Sequence, residues 1–120
     1  MRDLDVRLLL GLHFDLIKVV ETASKECNFL VAEGLRTKAR QEQLYKEGRS
    51  KTLNSRHLTG HAVDLYPIIN KPIPKMTMAD MKPVVDAMRR AAKALSIEME
   101  HGYDWGWDPA HHELKKSKYP

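Results

Sequence analysis

Apolar residues near the start of the chain recur at the spacing of one helix face. They fall at positions i, i+4, i+7, i+8 and i+11, namely Leu12, Leu16, Val19, Val20 and Ala23. Polar side chains fill the positions between them, so the pattern predicts an amphipathic helix over residues 8–25. Residues 29–32 are then uniformly apolar and lead into Glu33-Gly34. A short apolar run before a turn is typical of a buried strand.

A second helix is predicted over residues 37–47. Thr37 precedes it as a plausible N-cap, and Gly48 follows it as a plausible C-terminal stop. Residues 48–60 are rich in Ser, Thr, Asn, Gly and Arg, which indicates a loop.

The next apolar segment, residues 61–66, resembles a second strand that Pro67 ends. Two more prolines, Pro72 and Pro74, follow closely. We therefore expect an irregular connection over residues 67–76.

A third helix is predicted within residues 78–95. Its apolar stripe consists of Val84, Met88, Ala91 and Leu95. Pro83 is tolerated only in a first turn, so the helix either starts near residues 80–82 or starts earlier and bends. Residues 97–100 alternate like a third strand, and the rest of the chain is predicted as loop.

The order of these elements places the chain in the α+β class. Helices and strands alternate irregularly, which favours a small antiparallel sheet with helices packed on it. The chain has 120 residues, enough for one domain but not for a second large one. We predict a single domain over residues 1–120.

Composition narrows the range of function classes. Hydrophobic residues make up 42% of the chain and charged residues 30%, which is ordinary globular usage and excludes disordered, collagen-like and coiled-coil proteins. The net charge of +4 permits an anionic partner without choosing one. Lys and Arg are interspersed with acidic residues and form no nucleic-acid-binding motif, so no nucleic-acid partner is expected.

The single cysteine, Cys27, excludes an intrachain disulfide and a four-cysteine zinc site. The N-terminal apolar run is short and interrupted by charges, which is unlike a signal peptide. No stretch approaches the roughly 18 apolar residues that a membrane span needs. We therefore expect synthesis in a cytoplasm, no signal peptide and no membrane insertion.

Two groups of residues carry candidate chemistry. The first lies in residues 55–64, where His57 precedes a glycine turn and Asp64 lies along the strand that follows. A corner of that length can direct both side chains toward one point. The second group lies in residues 108–113, which contain two acidic residues and two adjacent histidines.

Two imidazoles and one carboxylate are the ligand set of an open catalytic zinc site. Such a site needs a further carboxylate that accepts a proton and passes it on, and Asp108 and Glu113 are the candidates. The alternative is a histidine-rich surface that binds no metal. Residue types alone leave both interpretations open.

One stretch of the chain resembles a known family. The residues Ser55-x-His57-x-x-Gly60-x-Ala62-x-Asp64 match the SxHxxGxAxD motif of the D-Ala-D-Ala carboxypeptidases and VanX/VanY-type zinc peptidases of peptidoglycan. Five fixed positions within ten residues make this a specific match.

Two more segments share the resemblance. Asp108-x-x-His111 is similar to the family's acidic-x-x-His motif. An upstream segment looks like that of the phage endolysin branch, the L-alanyl-D-glutamate peptidases. Its matching positions are Glu33, Gly34, Leu35, Arg36, Thr37, Arg40, Gln41 and Leu44. The resemblance covers roughly residues 8–114, the expected catalytic core, and leaves a basic tail at 115–120.

The resemblance implies a role for each matched residue. His57, Asp64 and His111 would bind Zn²⁺, and Asp108 would act as general base and then general acid. Arg36 would hold the polarised carbonyl oxygen of the scissile bond. An arginine suits this role because it is always charged and offers several donors.

The sequence departs from the family after the third ligand, where His112 stands instead of an aromatic residue. His112 is therefore an alternative to His111 as ligand. Glu113 is correspondingly an alternative to Asp108 as base.

The function implied by the resemblance is that of a zinc-dependent, endolysin-like peptidoglycan endopeptidase that hydrolyses the L-Ala-D-Glu bond of the stem peptide. We expect a monomer that reaches the cell wall after the membrane is permeabilised. Two alternatives remain: a D-Ala-D-Ala carboxypeptidase or dipeptidase of the same fold, and a non-catalytic wall-binding module.

Overall fold

The computed structural model describes residues 1–120 and contains five α-helices and four β-strands. The helices are α1 (Asp3–Leu9), α2 (Phe14–Ser24), α3 (Lys38–Lys46), α4 (Met78–Leu95) and α5 (Gly102–Trp105). The strands are β1 (Phe29–Glu33), β2 (Ala62–Pro67), β3 (Met99–His101) and β4 (His111–Leu114). Short 3-10 turns occur at Arg56–Thr59 and Ile73–Lys75. No helix combines the length and the hydropathy needed to span a bilayer.

The four strands form one antiparallel sheet in the order β1-β2-β4-β3. Helices α2 and α4 contact each other, and their apolar residues join those of the sheet in one hydrophobic core. The predicted α+β class, with helices packed on a small antiparallel sheet, is confirmed. The opposite face of the sheet is free to carry polar side chains.

The side chains of β2 alternate between the core face of the sheet and its opposite, more polar face. Val63 and Leu65 are fully buried in the core. Successive side chains of a strand point to opposite faces, so Asp64 and Tyr66 lie on the other side. His111 of β4 pairs with Asp64 across the strands and therefore shares that face.

Three predicted elements, α3, β1 and β2, match the structure closely. Thr37 caps α3, because its Oγ1 accepts a hydrogen bond from the amide of Arg40 at 3.1 Å. Gly48 follows the helix with a φ of 71°. Pro67 is the last residue of β2, as predicted for the end of that strand.

The prediction of one helix over residues 8–25 is wrong. The chain instead forms α1 and α2, separated by a short connection in which Gly11 has a φ of 87°. The Nδ1 of His13 accepts a hydrogen bond from the amide of Asp15 at 3.0 Å and caps α2. Leu9 and Leu12 both reach the core, and this continuous apolar spacing concealed the break.

Helix α4 takes the earlier of its two predicted starts. Thr77 and Asp80 form a reciprocal cap, each side chain bonding the other's backbone amide. The helix continues through Pro83, which donates no backbone hydrogen bond, and ends at Leu95; the capping residue Ser96 that follows has a left-handed conformation. The third strand lies slightly later than predicted, at Met99–His101.

The prediction that the chain ends in a loop is also wrong. Helix α5 and strand β4 occupy this segment, and β4 lies between β2 and β3 in the sheet. All four residues of β4 are buried although three of them are polar. A polar strand gives no hydrophobic signal, because its burial depends on partners elsewhere in the chain.

Candidate metal centre and groove

An open groove with a volume of about 690 Å³ lies on the polar face of the sheet. Its floor includes Asp64 and His111 from the two central strands, and the loop after α3 and the segment between α5 and β4 contribute to its walls. The groove also contains five basic residues and three aromatic residues, namely Arg36, Arg40, Arg49, Lys51, Arg56, Tyr66, Trp105 and Trp107.

His57 enters the groove from a 3-10 turn that Ser55 caps. Its Nδ1 lies 2.9 Å from the carbonyl oxygen of Gly34. A carbonyl only accepts, so Nδ1 carries the proton and Nε2 is left with a lone pair. That Nε2 lies 3.2 Å from Oδ1 of Asp64. Gly34 must be glycine, because a Cβ there would collide with the backbone carbonyl of Leu8.

His111 presents the other edge of its ring to Asp64. Its Nε2 donates a hydrogen bond to Oε1 of Glu113 at 2.8 Å, and its Nδ1 lies 3.4 Å from Oδ1 of Asp64. The His57 and His111 rings are 5.2 Å apart and nearly perpendicular. The ligand atoms of His57, Asp64 and His111 all lie within 4.8 Å of one another, so this group could hold a metal ion.

The protonation of this group fits a cation site. Burial opposes protonation of His111, but hydrogen bonds to Asp64 and Glu113 outweigh it and raise the pKa of His111 to about 9. Burial would raise the pKa of Asp64, yet its contacts with His111 and His57 hold that pKa well below its usual range. The group thus attracts a positive charge, and a metal ion would displace the proton on His111.

The other histidines lie outside this group. His112, the alternative ligand, is buried with its Nδ1 2.8 Å from Nδ1 of His101. Its neighbour across β2 is the core residue Val63, so it faces away from the groove. His61 lies instead beside His13, with ring centroids 5.6 Å apart.

The two candidate bases have different surroundings. Asp108 is half-buried and lines the groove, and burial, partly offset by His111, raises the pKa of its carboxyl group. Glu113 also borders the groove, but its carboxylate contacts His111 and Arg56. Gly102 permits the turn that carries Asp108, because a Cβ at Gly102 would collide with the Asp108 carbonyl.

Arg36 is held by several acceptors at once. Its guanidinium binds both carboxylate oxygens of Glu33, at 2.8 and 2.5 Å. It also donates to Gln41 at 2.7 Å and, more weakly, to Ser55 at 3.4 Å. These contacts occupy four of the five N–H groups of an arginine and leave one for a further acceptor.

Gln41 is a site residue to which sequence reasoning assigned no role. It is fully buried, and its Nε2 donates to the carbonyl of Thr52 at 2.6 Å and to Oγ of Ser50 at 2.9 Å. It therefore ties Arg36 to the loop that follows α3. Its spacing from the buried Leu44 was a signal, since residues three apart share a helix face.

Aromatic rings continue the groove beyond His111. Trp105 lies 5.3 Å from the His111 ring, and Trp107 lies 5.7 Å from Trp105, between ring centroids. The Lys51 ammonium group lies 5.5 Å from the centre of the Trp107 ring. The row therefore extends from the group formed by His57, Asp64 and His111 to the loop that Gln41 bonds.

Comparison with known protein families identifies the family to which this chain belongs. A family model described as "Phage L-alanyl-D-glutamate peptidase" matches residues 5–119. The chain belongs to that family. The predicted resemblance to the endolysin branch of the VanX/VanY-type peptidases is thereby confirmed, and the chain is a peptidase.

Two relatives support the assignment to the phage L-alanyl-D-glutamate peptidases. The chain is 32% identical over 96 residues to an L-alanyl-D-glutamate peptidase of Escherichia phage T5, a match that spans 77% of this chain and 70% of that one. The crystal structure of the L-Ala D-Glu endopeptidase ChiX of Serratia marcescens superposes with a TM-score of 0.90 at 35% identity. That match covers 100% of this chain and 92% of the other.

Proposed function

We propose that this peptidase is a zinc-dependent endopeptidase that hydrolyses the L-Ala-D-Glu bond in the stem peptide of bacterial peptidoglycan and so lyses the cell wall. The observation that carries the proposal is the convergence of His57, Asp64 and His111 at the floor of a groove that also contains Asp108 and Arg36. Membership of a family named for that bond supports the choice of substrate.

The donor set favours zinc as the metal. Two neutral imidazole nitrogens and one carboxylate oxygen are common in catalytic zinc sites, which keep a fourth position open. The groove provides that opening on the solvent side. When bound, zinc supplies Lewis acidity, which lowers the pKa of a water to about 7 and polarises a carbonyl group.

Asp108 is the residue we assign to proton transfer. It lines the groove with the three ligands, and the raised pKa of its carboxyl group suits a residue that must both accept and release a proton. In the proposed reaction Asp108 takes the proton of the attacking water. It then delivers this proton to the nitrogen of the departing amine.

Arg36 is the residue we assign to the carbonyl oxygen. Its bidentate pair with Glu33 and its bond to Gln41 fix the guanidinium plane before substrate arrives. A donor that is already oriented stabilises developing negative charge without reorganisation. The one uncommitted N–H is the group available to the oxygen.

The remainder of the groove suits a peptide that carries carboxylates. Arg40 and Lys51 line it, and the row formed by Trp105 and Trp107 offers flat apolar contact beside them. The glutamate after the scissile amide has two carboxyl groups, of which chain continuation consumes only one. We expect the stem peptide to lie along this row.

The proposal is tested by digesting purified peptidoglycan with wild type, Asp108→Asn and the control Asp104→Asn. Asp104 is an exposed neighbour that pairs with Arg89 and lies outside the groove. Metal content is determined for each protein, and the products are identified by mass spectrometry. We expect new D-Glu N-termini from wild type and Asp104→Asn, and a loss of about 10²–10⁴ in kcat for Asp108→Asn with zinc retained.

Each other outcome has a distinct meaning. Release of D-Ala or of D-Ala-D-Ala would keep the chemistry and assign the chain to the carboxypeptidase alternative. Zinc binding without hydrolysis of any wall type would leave the wall-binding module. Full activity in a metal-free protein would refute the role of the three ligands.

A further inference from the structure

Glu113 has no part in the proton transfer proposed above, yet it is a buried carboxylate beside the metal group. It lies two residues after His111 on β4, so both side chains point to the same face of the sheet. Its Oε1 accepts the hydrogen bond from Nε2 of His111 at 2.8 Å. Nε2 and Nδ1 are on different edges of the ring, so this bond leaves Nδ1 directed toward Asp64.

The second oxygen of Glu113 is also engaged. Nε of Arg56 lies 3.7 Å from Oε2 of Glu113 and is buried without a hydrogen-bond partner, so the contact is an ion pair. Arg56 is itself anchored, because it donates to the backbone carbonyls of Leu114 at 3.1 Å and Tyr119 at 2.6 Å. Both oxygens of Glu113 thus have fixed positive or donor neighbours.

We infer that Glu113, held by Arg56, is the positioning residue of the metal centre: it fixes the ring orientation and tautomer of His111 so that Nδ1 presents its lone pair to the metal. A carboxylate that accepts the far N–H of a ligand histidine also increases the basicity of the ligand nitrogen. The inference rests on the proposed function in taking His111 as a ligand. It gives Glu113 a different role from the base alternative raised by the sequence.

The tautomer of His57 is also fixed by a hydrogen bond to the ring nitrogen that faces away from the metal position, but here the acceptor is neutral. Its Nδ1 donates to the carbonyl of Gly34, which fixes the tautomer without adding a charge. The two histidines of the group are therefore held by different devices. His57 is held by a backbone carbonyl, whereas His111 of β4 is held by the Glu113 carboxylate. Only the second partner can be removed by substituting a side chain.

The test measures metal binding rather than hydrolysis. Zinc affinity is determined by competition with a chromophoric chelator, and the visible spectrum is recorded with Co²⁺ as a probe. Glu113→Ala is expected to weaken zinc binding by about 10–100-fold and to change the Co²⁺ bands. Glu113→Gln keeps an oxygen at the same position and should retain most of the affinity.

Two further variants separate positioning from packing. Glu113→Asp keeps the charge but withdraws the carboxylate by one methylene, so it should weaken binding like Glu113→Ala if distance matters. The matched control is Glu100→Ala, since Glu100 is the exposed residue that pairs with Glu113 across β3 and β4. Thermal unfolding of each metal-free protein reports any purely structural loss.

Three results would overturn the inference. The first is wild-type zinc affinity and Co²⁺ spectrum in both Glu113→Ala and Glu113→Asp. The second is a Glu113→Gln protein that binds zinc normally but has lost hydrolysis, which would identify Glu113 as the proton-transferring carboxylate. The third is a wild-type protein that binds neither metal, which would remove the metal centre of the proposed function as well.

Discussion

Gln41 provides the sharpest test of how this site is held together. Its side chain makes three hydrogen bonds, one from the charged Arg36 and two to the loop at Ser50 and Thr52. Replacing Gln41 with Ala removes all three and leaves the Thr52 carbonyl with only its longer bond from Oγ of Ser50, at 3.1 Å. The consequence should appear both in stability and in activity.

The expected loss of stability follows from those contacts. A neutral hydrogen bond contributes about 0.5–1.5 kcal/mol net, and one to a charged group about 1.5–3 kcal/mol. The loop borders an open groove, so water can replace part of what Gln41 provides. We therefore expect Gln41→Ala to lower the free energy of unfolding by about 2–4 kcal/mol.

The matched control is Gln43→Ala on the same helix. Gln43 is exposed and bonds only to Glu47 at 3.0 Å, so its loss should cost less than about 0.5 kcal/mol. Urea unfolding followed by circular dichroism measures both variants. If Gln41→Ala and Gln43→Ala unfold at the same urea concentration, the buried network contributes nothing and the reasoning fails.

The activity of the folded Gln41 variant gives a second readout. Without Gln41, Arg36 keeps its pair with Glu33 but loses its connection to the loop that carries Lys51. Small displacements of groups that orient a substrate reduce rates strongly, and we expect kcat/KM to fall by about 10–100-fold. An unchanged kcat/KM would show that Glu33 and Ser55 position Arg36 without Gln41.

Two further predictions concern stability. The Arg2 side chain, which donates to the buried Asp5 at 2.9 Å, is the main reason that the pKa of Asp5 is lowered to about 2. This pKa lies below that of an unfolded Asp, so the carboxylate should add about 1–2 kcal/mol to the free energy of unfolding above pH 5, and this contribution should be lost between about pH 4 and pH 2. Thermal unfolding of Asp5→Asn should lack that pH dependence. A variant with the same pH profile as wild type would contradict the prediction. Ser96→Gly should raise the free energy of unfolding by about 0.5–1 kcal/mol in urea, because Ser96 ends α4 with a φ of 56°, and a loss of stability would refute the argument.

The sequence predicted the elements in which local pattern and tertiary environment agree. Helix α3 has its cap at Thr37 and its stop at Gly48, and both follow from local backbone chemistry. Strand β1 is apolar and fully in the core at Phe29 and Val31. In such segments the residues themselves favour the structure that the fold requires.

Local pattern failed where a distant partner determines the structure. Helix α1 depends on Asp5, whose Oδ1 accepts a hydrogen bond from the amide of Val31 in β1 at 2.8 Å. A charged residue in the first turn indicates a surface position, yet this one is buried because strand and arginine satisfy it. Gln41 was missed for the same reason, since its partners lie in the loop that follows its helix.

The proximity of the candidate ligands was predictable from the spacing of a sequence motif, although the hydrophobic pattern carries no information about it. His57 and Asp64 lie seven residues apart on a turn and a strand, and the structure brings their nearest atoms to 3.2 Å. The motif supplied their pairing without any knowledge of the sheet. It could not supply the role of Glu113, because no spacing rule distinguishes a base from a carboxylate that holds a histidine.

In strand β4 the hydrophobic pattern gives no signal, while the motif spacing does. Three of its four residues, His111, His112 and Glu113, are polar, and all are buried. His111 and Glu113 face the groove, while His112 faces the core, where it meets His101. Strand β4 lies between β2 and β3, so both of its backbone edges are paired. Its polar side chains find partners on the two faces: His111 bonds to Glu113, and His112 meets His101. The sequence of β4 does not resemble a strand, yet its strand geometry is what places His111 and Glu113 together on the groove face.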